Sequence, residues 1–399
     1  MRRLAAWVCA APFAALPLFP SFITLTAVTV PGVSLIPPPV SLTLLGLMVV
    51  AVAIGFVLLL RPPRDPSPML VPLSLWWGAG LLAALLGFNP AGGLLFIGIF
   101  GMGIVWHSGV WRFFADPTAR RAMLYAFLVT GALAAAAAIA MLVLRQPADQ
   151  YTIGNRRAIG TFILPGELAG YLIIYLPIAC AVASATRDRA LRAIGWTGTA
   201  VGLVAFALTI SRAGWMGMAA AIAFYLVATQ GKRARYALIP VALGAVAVLA
   251  FFNVNHNPSE NYTRISIWQA ALGIIERFPL TGVGPFDFAS AYALVRLPDG
   301  EPTAFHAHSF LLTIFAEMGL VGLVAVLWAW WRFAIALRAQ LAAAKPAHVR
   351  LALAVGAGLV GTLVQGLIDT VSVVLFGLWL LTMALALVFA RDGIGEDAA

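Results

Sequence analysis

The sequence predicts an all-α integral membrane protein of about 12 transmembrane helices, with a helical extracytoplasmic loop between helices 9 and 10. Three observations carry this. Of 399 residues, 62% are hydrophobic and 10% charged, and mean hydropathy is +0.97, far from the balance of a soluble domain. Apolar runs recur at the roughly 20 residues needed to cross a hydrocarbon layer, as in VSLTLLGLMVVAVAIGFVLLL at 40–60. The charges fall in short clusters between these runs, as topology signals do.

Breaking the chain at charged, Pro and Gly clusters gives spans at 4–29, 40–60, 69–87, 91–111, 122–144, 163–185, 193–210, 213–229, 237–252, 309–331, 349–368 and 371–390. Residues 1–399 thus read as a single polytopic membrane domain. The opening MRRLAAWVCAAPFAALPLF has the form of a secretion signal, but its apolar stretch continues toward Val30, which favours a retained first span.

Placing the N-terminus in the cytoplasm puts 18 of the 25 basic residues inside and 7 outside, in accord with the positive-inside rule. Both termini are then cytoplasmic. The outer group is Arg145, Arg156, Arg157, Arg212, Arg264, Arg277 and Arg296, and each stands on the disfavoured side. Arg212 is the clearest, because LTISRAGWMG interrupts an apolar run from Ala193 to Thr229. Holding an arginine at depth costs about 2.5–3.5 kcal/mol, so Arg212 either snorkels to the headgroups or serves a site. Arg156 reads as a headgroup contact, and Arg277 and Arg296 as solvated helix faces.

The longest polar segment, 253–308, falls outside by the same count. RISIWQAALGIIERF sets Ile265, Trp268, Leu272 and Ile275 on one helical face, with Arg264, Gln269 and Glu276 off it. Pro279 ends that helix and LTGVGPF forms a glycine-rich turn. FDFASAYALV repeats the pattern with Phe288, Tyr292 and Val295. The expected picture is two amphipathic helices lying on the outer surface, a roof over the spans.

Several chemistries are excluded. The chain has no GxxxxGK[ST] loop, no GxGxxG after a strand, no HExxH, no cysteine cluster and no GxSxG. Cys9 and Cys180 read as small apolar-environment thiols. The outer acids are scattered, so neither a metal centre nor another cofactor is expected. The basic residues form no single patch, which argues against a nucleic-acid partner. Gly356, Gly358 and Gly361 suit close helix packing. His107, between Trp106 and Trp111, reads as part of an aromatic belt near the inner face, and Asp369 as a helix cap.

What remains outside is a set of arginines and the pair His306 and His308 in FHAHSF, where a span begins. Guanidinium groups suit phosphate oxygens because they stay charged and present paired donors. Histidine suits proton transfer near neutral pH. Together they suggest a site that holds a lipid-linked phosphate and activates a hydroxyl beside it, although a proton-coupled transporter uses the same residue types. Glu317, inside a span, is a functional candidate or a helix-fastening hydrogen-bond partner.

Four stretches, in order, resemble the O-antigen ligase and polymerase superfamily of bacterial membrane glycosyltransferases. They are RAIGTFILPGELAGYL (157–172), LTISRAGWMG (208–217), RISIWQAALGIIERFPLTGVGPFDF (264–288) and HAHSFLLTIFAEMGLVGL (306–323). The resemblance covers roughly 150–325, and the first 150 residues share only apolar character. It implies transfer of a glycan from an undecaprenyl diphosphate carrier to a lipid or glycan acceptor hydroxyl, on the outer face of the bacterial inner membrane, without metal or nucleotide sugar. Carried over position by position, His308 matches the catalytic base, and Arg157, Arg212 and Arg264 match carrier-diphosphate contacts. His306 and Glu317 are further substrate-binding candidates. LPGELAG departs from the family's more usual Asn-Pro-Asn, which leaves Glu167 without an assigned role. A ligase is the leading expectation; a polymerase joining carrier-linked repeat units and an anion or solute transporter are the alternatives.

Overall fold

The computed structural model describes residues 2–19, 38–60, 65–254, 258–343, 346–369 and 375–389. Among these residues every regular element is helical: α1 (Arg2–Leu18), α2 (Pro38–Leu60), α3 (Leu70–Leu86), α4 (Pro90–Phe113), α5 (Pro117–Leu144), α6 (Ala148–Ile153), α7 (Pro165–Ala185), α8 (Arg189–Leu208), α9 (Arg212–Gln230), α10 (Ala234–Val254), α11 (Pro258–Arg277), α12 (Phe288–Val295), α13 (Phe310–Ala343), α14 (Pro346–Gly366) and α15 (Leu375–Val388). Seven of them carry stretches long and apolar enough to cross a membrane, namely α4, α5, α7, α8, α9, α13 and α14, and shorter apolar helices lie in α1, α2, α3 and α15. The chain is a multi-pass membrane protein.

Local chemistry sets where many of these helices start. Proline stands at the first position of α2, α4, α5, α7, α11 and α14, where its fixed φ suits a helix and its missing N–H costs nothing. Asn89, Asp116, Asp188 and Ser211 cap α4, α5, α8 and α9 by accepting from first-turn N–H groups.

Helix α7 is deeply enclosed: Leu168, Tyr171, Leu172, Ile174, Tyr175 and Ile178 are all fully buried. It packs against α8, α9 and α14. Small residues permit this closeness. A Cβ on Gly361 would stand 2.7 Å from the Gly217 carbonyl of α9, and one on Gly358 would meet the Ile174 backbone of α7 at 3.0 Å. The packing role expected for these glycines is observed.

Four differences from the sequence reading have physical causes. The first helix ends at Leu18 rather than near 29, and residues 20–37 lie outside the described set. The span expected at 309–331 is the 34-residue α13, which continues to Ala343 but is broken at Gly319 (φ 63°, ψ −164°). His107 is no belt residue: it is fully buried, with Nδ1 2.8 Å from the Thr382 carbonyl and Nε2 2.8 Å from Ser67 Oγ, so it ties α4 to α15 and to the turn before α3. The buried face of α11 is the expected one only in part: Ile275 is buried and Trp268 half-buried, but the centre of the face lies elsewhere. Ile267, Ala270, Ala271 and Ile274 pack with Val283, Phe288 and Tyr292 into a separate hydrophobic cluster, while Ile265 and Leu272 point outward. Small alanines let α11 approach its neighbours there, whereas side-chain bulk alone had favoured a face centred on other residues. On α12, the expected Phe288 and Tyr292 are buried.

The segment between α11 and α12 is anchored by interlocked backbones. Val283 and Gly284 N–H donate to the Ala316 and Glu317 carbonyls (3.0 and 2.9 Å), and past the break Leu320 and Val321 N–H donate to the Pro279 and Leu280 carbonyls (2.8 and 3.2 Å). On its other side Phe88 N–H donates to the Val283 carbonyl (2.8 Å), and Asn89 N–H to Asp287 Oδ2 (2.9 Å). Burial pushes the Asp287 carboxyl up to about 6, partly offset by that Asn89 bond. The glycine-rich turn thus plugs the kink of α13 and fixes α11 and α12 over one end of the bundle.

Candidate functional site

At that end lies a cavity of about 180 Å³, lined by Arg157, Leu164, Pro165, Gly166, Glu167, Ile210, Ser211, Arg212, Ala213, Arg264, His306, His308 and Asp369. Five separate chain segments contribute. The loop before α7 brings Arg157, whose Nε donates to the Gly154 carbonyl (3.4 Å), and Ala158 N–H ties this loop to the Leu208 carbonyl at the end of α8 (2.9 Å). The turn between α8 and α9 brings Arg212. Arg264 projects from α11, with Nη1 donating to the Ile368 carbonyl (3.3 Å), beside Asp369 in the turn after α14. The entry to α13 brings both histidines.

The surroundings favour an anion. The N-terminal turns of α7 and α9 both open on the cavity through Pro165–Glu167 and Ser211–Ala213. Helix N-termini carry unpaired N–H groups and a partial positive charge, which adds to three guanidinium groups. The lining is also held in unusual backbone shapes. His308 (φ 48°), Ile210 (φ 48°) and Arg156 (φ 60°), which adjoins Arg157, are left-handed non-glycine residues. Such conformations cost about 1–3 kcal/mol each and gather at functional sites.

The two imidazoles meet edge to face with centroids 4.4 Å apart, and His308 N–H donates to His306 Nδ1 at 3.4 Å. Ala307 N–H donates to Thr313 Oγ1 (3.1 Å), which fastens the segment to the first turn of α13. Burial, and then the positive field of His308 and Arg264, holds the half-buried His306 well below the usual imidazole value. Burial also lowers His308, with Arg264 acting in the same sense and Asp369 opposing it. Both shifts favour the neutral ring, the state in which imidazole accepts a proton.

Of the outer arginines, Arg157, Arg212 and Arg264 are half-buried in the cavity wall, while Arg145, Arg156, Arg277 and Arg296 are exposed. Charge counting did not separate these two groups. Glu317 stands elsewhere. It is buried beneath the glycine-rich turn, where its carboxylate accepts from the Phe286 and Phe288 N–H groups. Two lining residues were missed. Asp369, expected as a helix cap, lies with its carboxylate against Gly166 at the cavity, and residues 370–374 after it lie outside the described set. Glu167 is buried at the cavity edge, with Oε2 accepting from Ile163 N–H (3.1 Å), and Gln365 Nε2 donates to the Gly166 carbonyl (2.9 Å). A charged residue at the site end of an apolar span was the available signal for both. Among the described residues no three His, Cys, Asp or Glu side chains are grouped to hold a metal ion.

Residues 197–327, about a third of the chain, match the protein-family model described as O-antigen ligase. That stretch contains Arg212, Arg264, His306 and His308, whereas Arg157, Glu167 and Asp369 join the cavity from outside it. No curated protein matches the chain.

Proposed function

We propose, proceeding from the O-antigen ligase match at residues 197–327, that this chain is a glycosyltransferase that moves a glycan from undecaprenyl diphosphate to an acceptor hydroxyl. The work takes place on the extracytoplasmic side of the bacterial inner membrane. One observation carries the reading: the cavity unites Arg157, Arg212 and Arg264 with the imidazole of His308. The sidedness rests on the basic excess at the opposite end, where Arg121 pairs with Asp188 (2.8 Å) among the turns that hold Arg112, Arg120, Arg187, Arg189 and Arg192. On this reading the apolar helices form about 12 spans, with 253–308 as the extracytoplasmic loop.

The three guanidinium groups bind the diphosphate, which is both anchor and leaving group. As the glycosidic C–O bond breaks, negative charge builds on the departing oxygen, so their attraction grows toward the transition state and lowers the barrier. His308 takes the proton of the acceptor hydroxyl as that oxygen bonds to the anomeric carbon, in a single displacement with inversion. General-base assistance of this kind contributes about 10²–10⁴-fold. Asp369 steadies the developing imidazolium, and His306 and Glu167 border the acceptor side. Below the cavity, fully buried Leu168, Tyr171, Leu172 and Tyr175 fill α7, which disfavours a solute path and hence transport.

The test is transfer by the purified protein in vesicles, with a glycan on undecaprenyl diphosphate as donor. Product on a lipid acceptor supports a ligase, lengthened carrier-linked chains support a polymerase, and no transfer of either kind sinks the reading.

A further inference from the structure

Helix α11 carries large apolar residues on the side opposite its packed face, where the exposed Gln269 and Glu276 stand among them. Ile267, Ala270, Ala271 and Ile274 are buried against α12, α13 and the glycine-rich turn. Ile265 stands nine residues before Ile274, two and a half turns away and therefore on the far side of the helix. Ile265 and Leu272 are each 51% exposed, and Tyr262 shares their side. Large apolar groups interleaved with polar Gln269 and Glu276 suit a helix at a headgroup–acyl boundary, where long polar side chains reach outward.

The face continues into another. Leu280, 65% exposed, follows α11, and its carbonyl accepts from Val321 on α13 (3.2 Å). From there Leu320, Val324, Leu327 and Trp331 run down α13 as an exposed stripe. On a spanning helix such a stripe faces lipid.

We propose that α11 is embedded in the leaflet at the cavity end, with Tyr262, Ile265 and Leu272 against lipid acyl chains as an extension of the α13 lipid face. The helix then lies about 5–10 Å into the headgroup–acyl boundary. Arg264, on the border between the two faces, then meets its ligand near the depth of lipid phosphates. That last consequence rests on the glycan-transfer reading, whereas the embedding does not.

The test uses full-length protein in nanodiscs. Ile265→Cys and Leu272→Cys are labelled with an environment-sensitive fluorophore, and the unsubstituted chain supplies the background from Cys9 and Cys180. Leu327→Cys is the lipid-facing reference and Asp299→Cys the aqueous one. Doxyl-labelled lipid is expected to quench the labels at 265 and 272 as it quenches Leu327→Cys, with little effect of iodide. Iodide quenching equal to that of Asp299→Cys, without lipid quenching, overturns the proposal. Shielding from both quenchers also overturns it, because the face is then covered by protein. None of these outcomes depends on catalysis, so failure here is separable from failure of the transfer assay.

Discussion

The carboxylate of Asp369 fills the space that a Cβ on Gly166 would need. The glycine at the second position of α7 therefore decides where an acid from the far end of α14 enters the cavity. Alanine favours a helix over glycine by about 1 kcal/mol, so Gly166→Ala should preserve or raise the melting temperature. It should nonetheless displace Asp369 and lower turnover by about tenfold, because an imidazolium loses a favourable partner worth roughly 1.4 kcal/mol. Thermal melting and the transfer rate, measured on the same preparation, check the split.

His308 is the proposed base, and His308→Ala should lose about 10²–10⁴-fold in turnover with donor affinity retained. Turnover near that of the unsubstituted chain removes the assignment.

The pH profile follows from the same ring. Burial and Arg264 lower His308 relative to the ordinary value near 6.5, and Asp369 pulls the other way. A lowered value keeps the base unprotonated as pH falls through 6.5, so the acid limb of turnover should lie below that point. Asp369→Asn removes the opposing charge and should move the limb further toward acid. A pH–rate series on both proteins decides it, and a shift toward alkali contradicts the geometry.

Arg212→Ala should weaken donor binding by about 10–100-fold, since a hydrogen bond to a charged partner is worth roughly 1.5–3 kcal/mol. Arg277→Ala, exposed at the end of α11, should leave affinity unchanged. Titration with a fluorescent undecaprenyl diphosphate glycan separates them.

Gly319→Ala should lower the melting temperature sharply. Its φ of 63° with ψ of −164° is nearly closed to other residues, a cost of about 1–3 kcal/mol, and a Cβ there would overlap the Leu280 carbonyl. Gly98→Ala meets nothing within 4 Å and serves as the control. Glu317→Ala should also destabilise, by orphaning the Phe286 and Phe288 N–H groups at about 1–3 kcal/mol each, yet leave donor affinity intact.

Much of this protein is legible in the sequence. Apolar length marks the spans because hydrocarbon offers the backbone no hydrogen-bond partner, so each crossing must be a helix of near-fixed extent. The charge ledger drew attention to Arg157, Arg212 and Arg264, and FHAHSF to His306 and His308. The signal thinned where one helix carries large apolar residues on its exposed side as well. Along α11, bulky Ile265 and Leu272 outweighed Ala270 and Ala271 in the pattern, although the small residues are the ones that pack.

By itself the sequence determined the helical membrane class, the clustering of cations toward one side and the motifs proposed to hold the chemistry, because these depend on composition and local spacing. Only the tertiary structure decided that five distant segments share one cavity, that Asp369 and Glu167 line it, and that Glu317 instead secures the α13 kink. Those outcomes depend on which helices meet, and packing through glycine and alanine leaves almost no trace in hydrophobic periodicity.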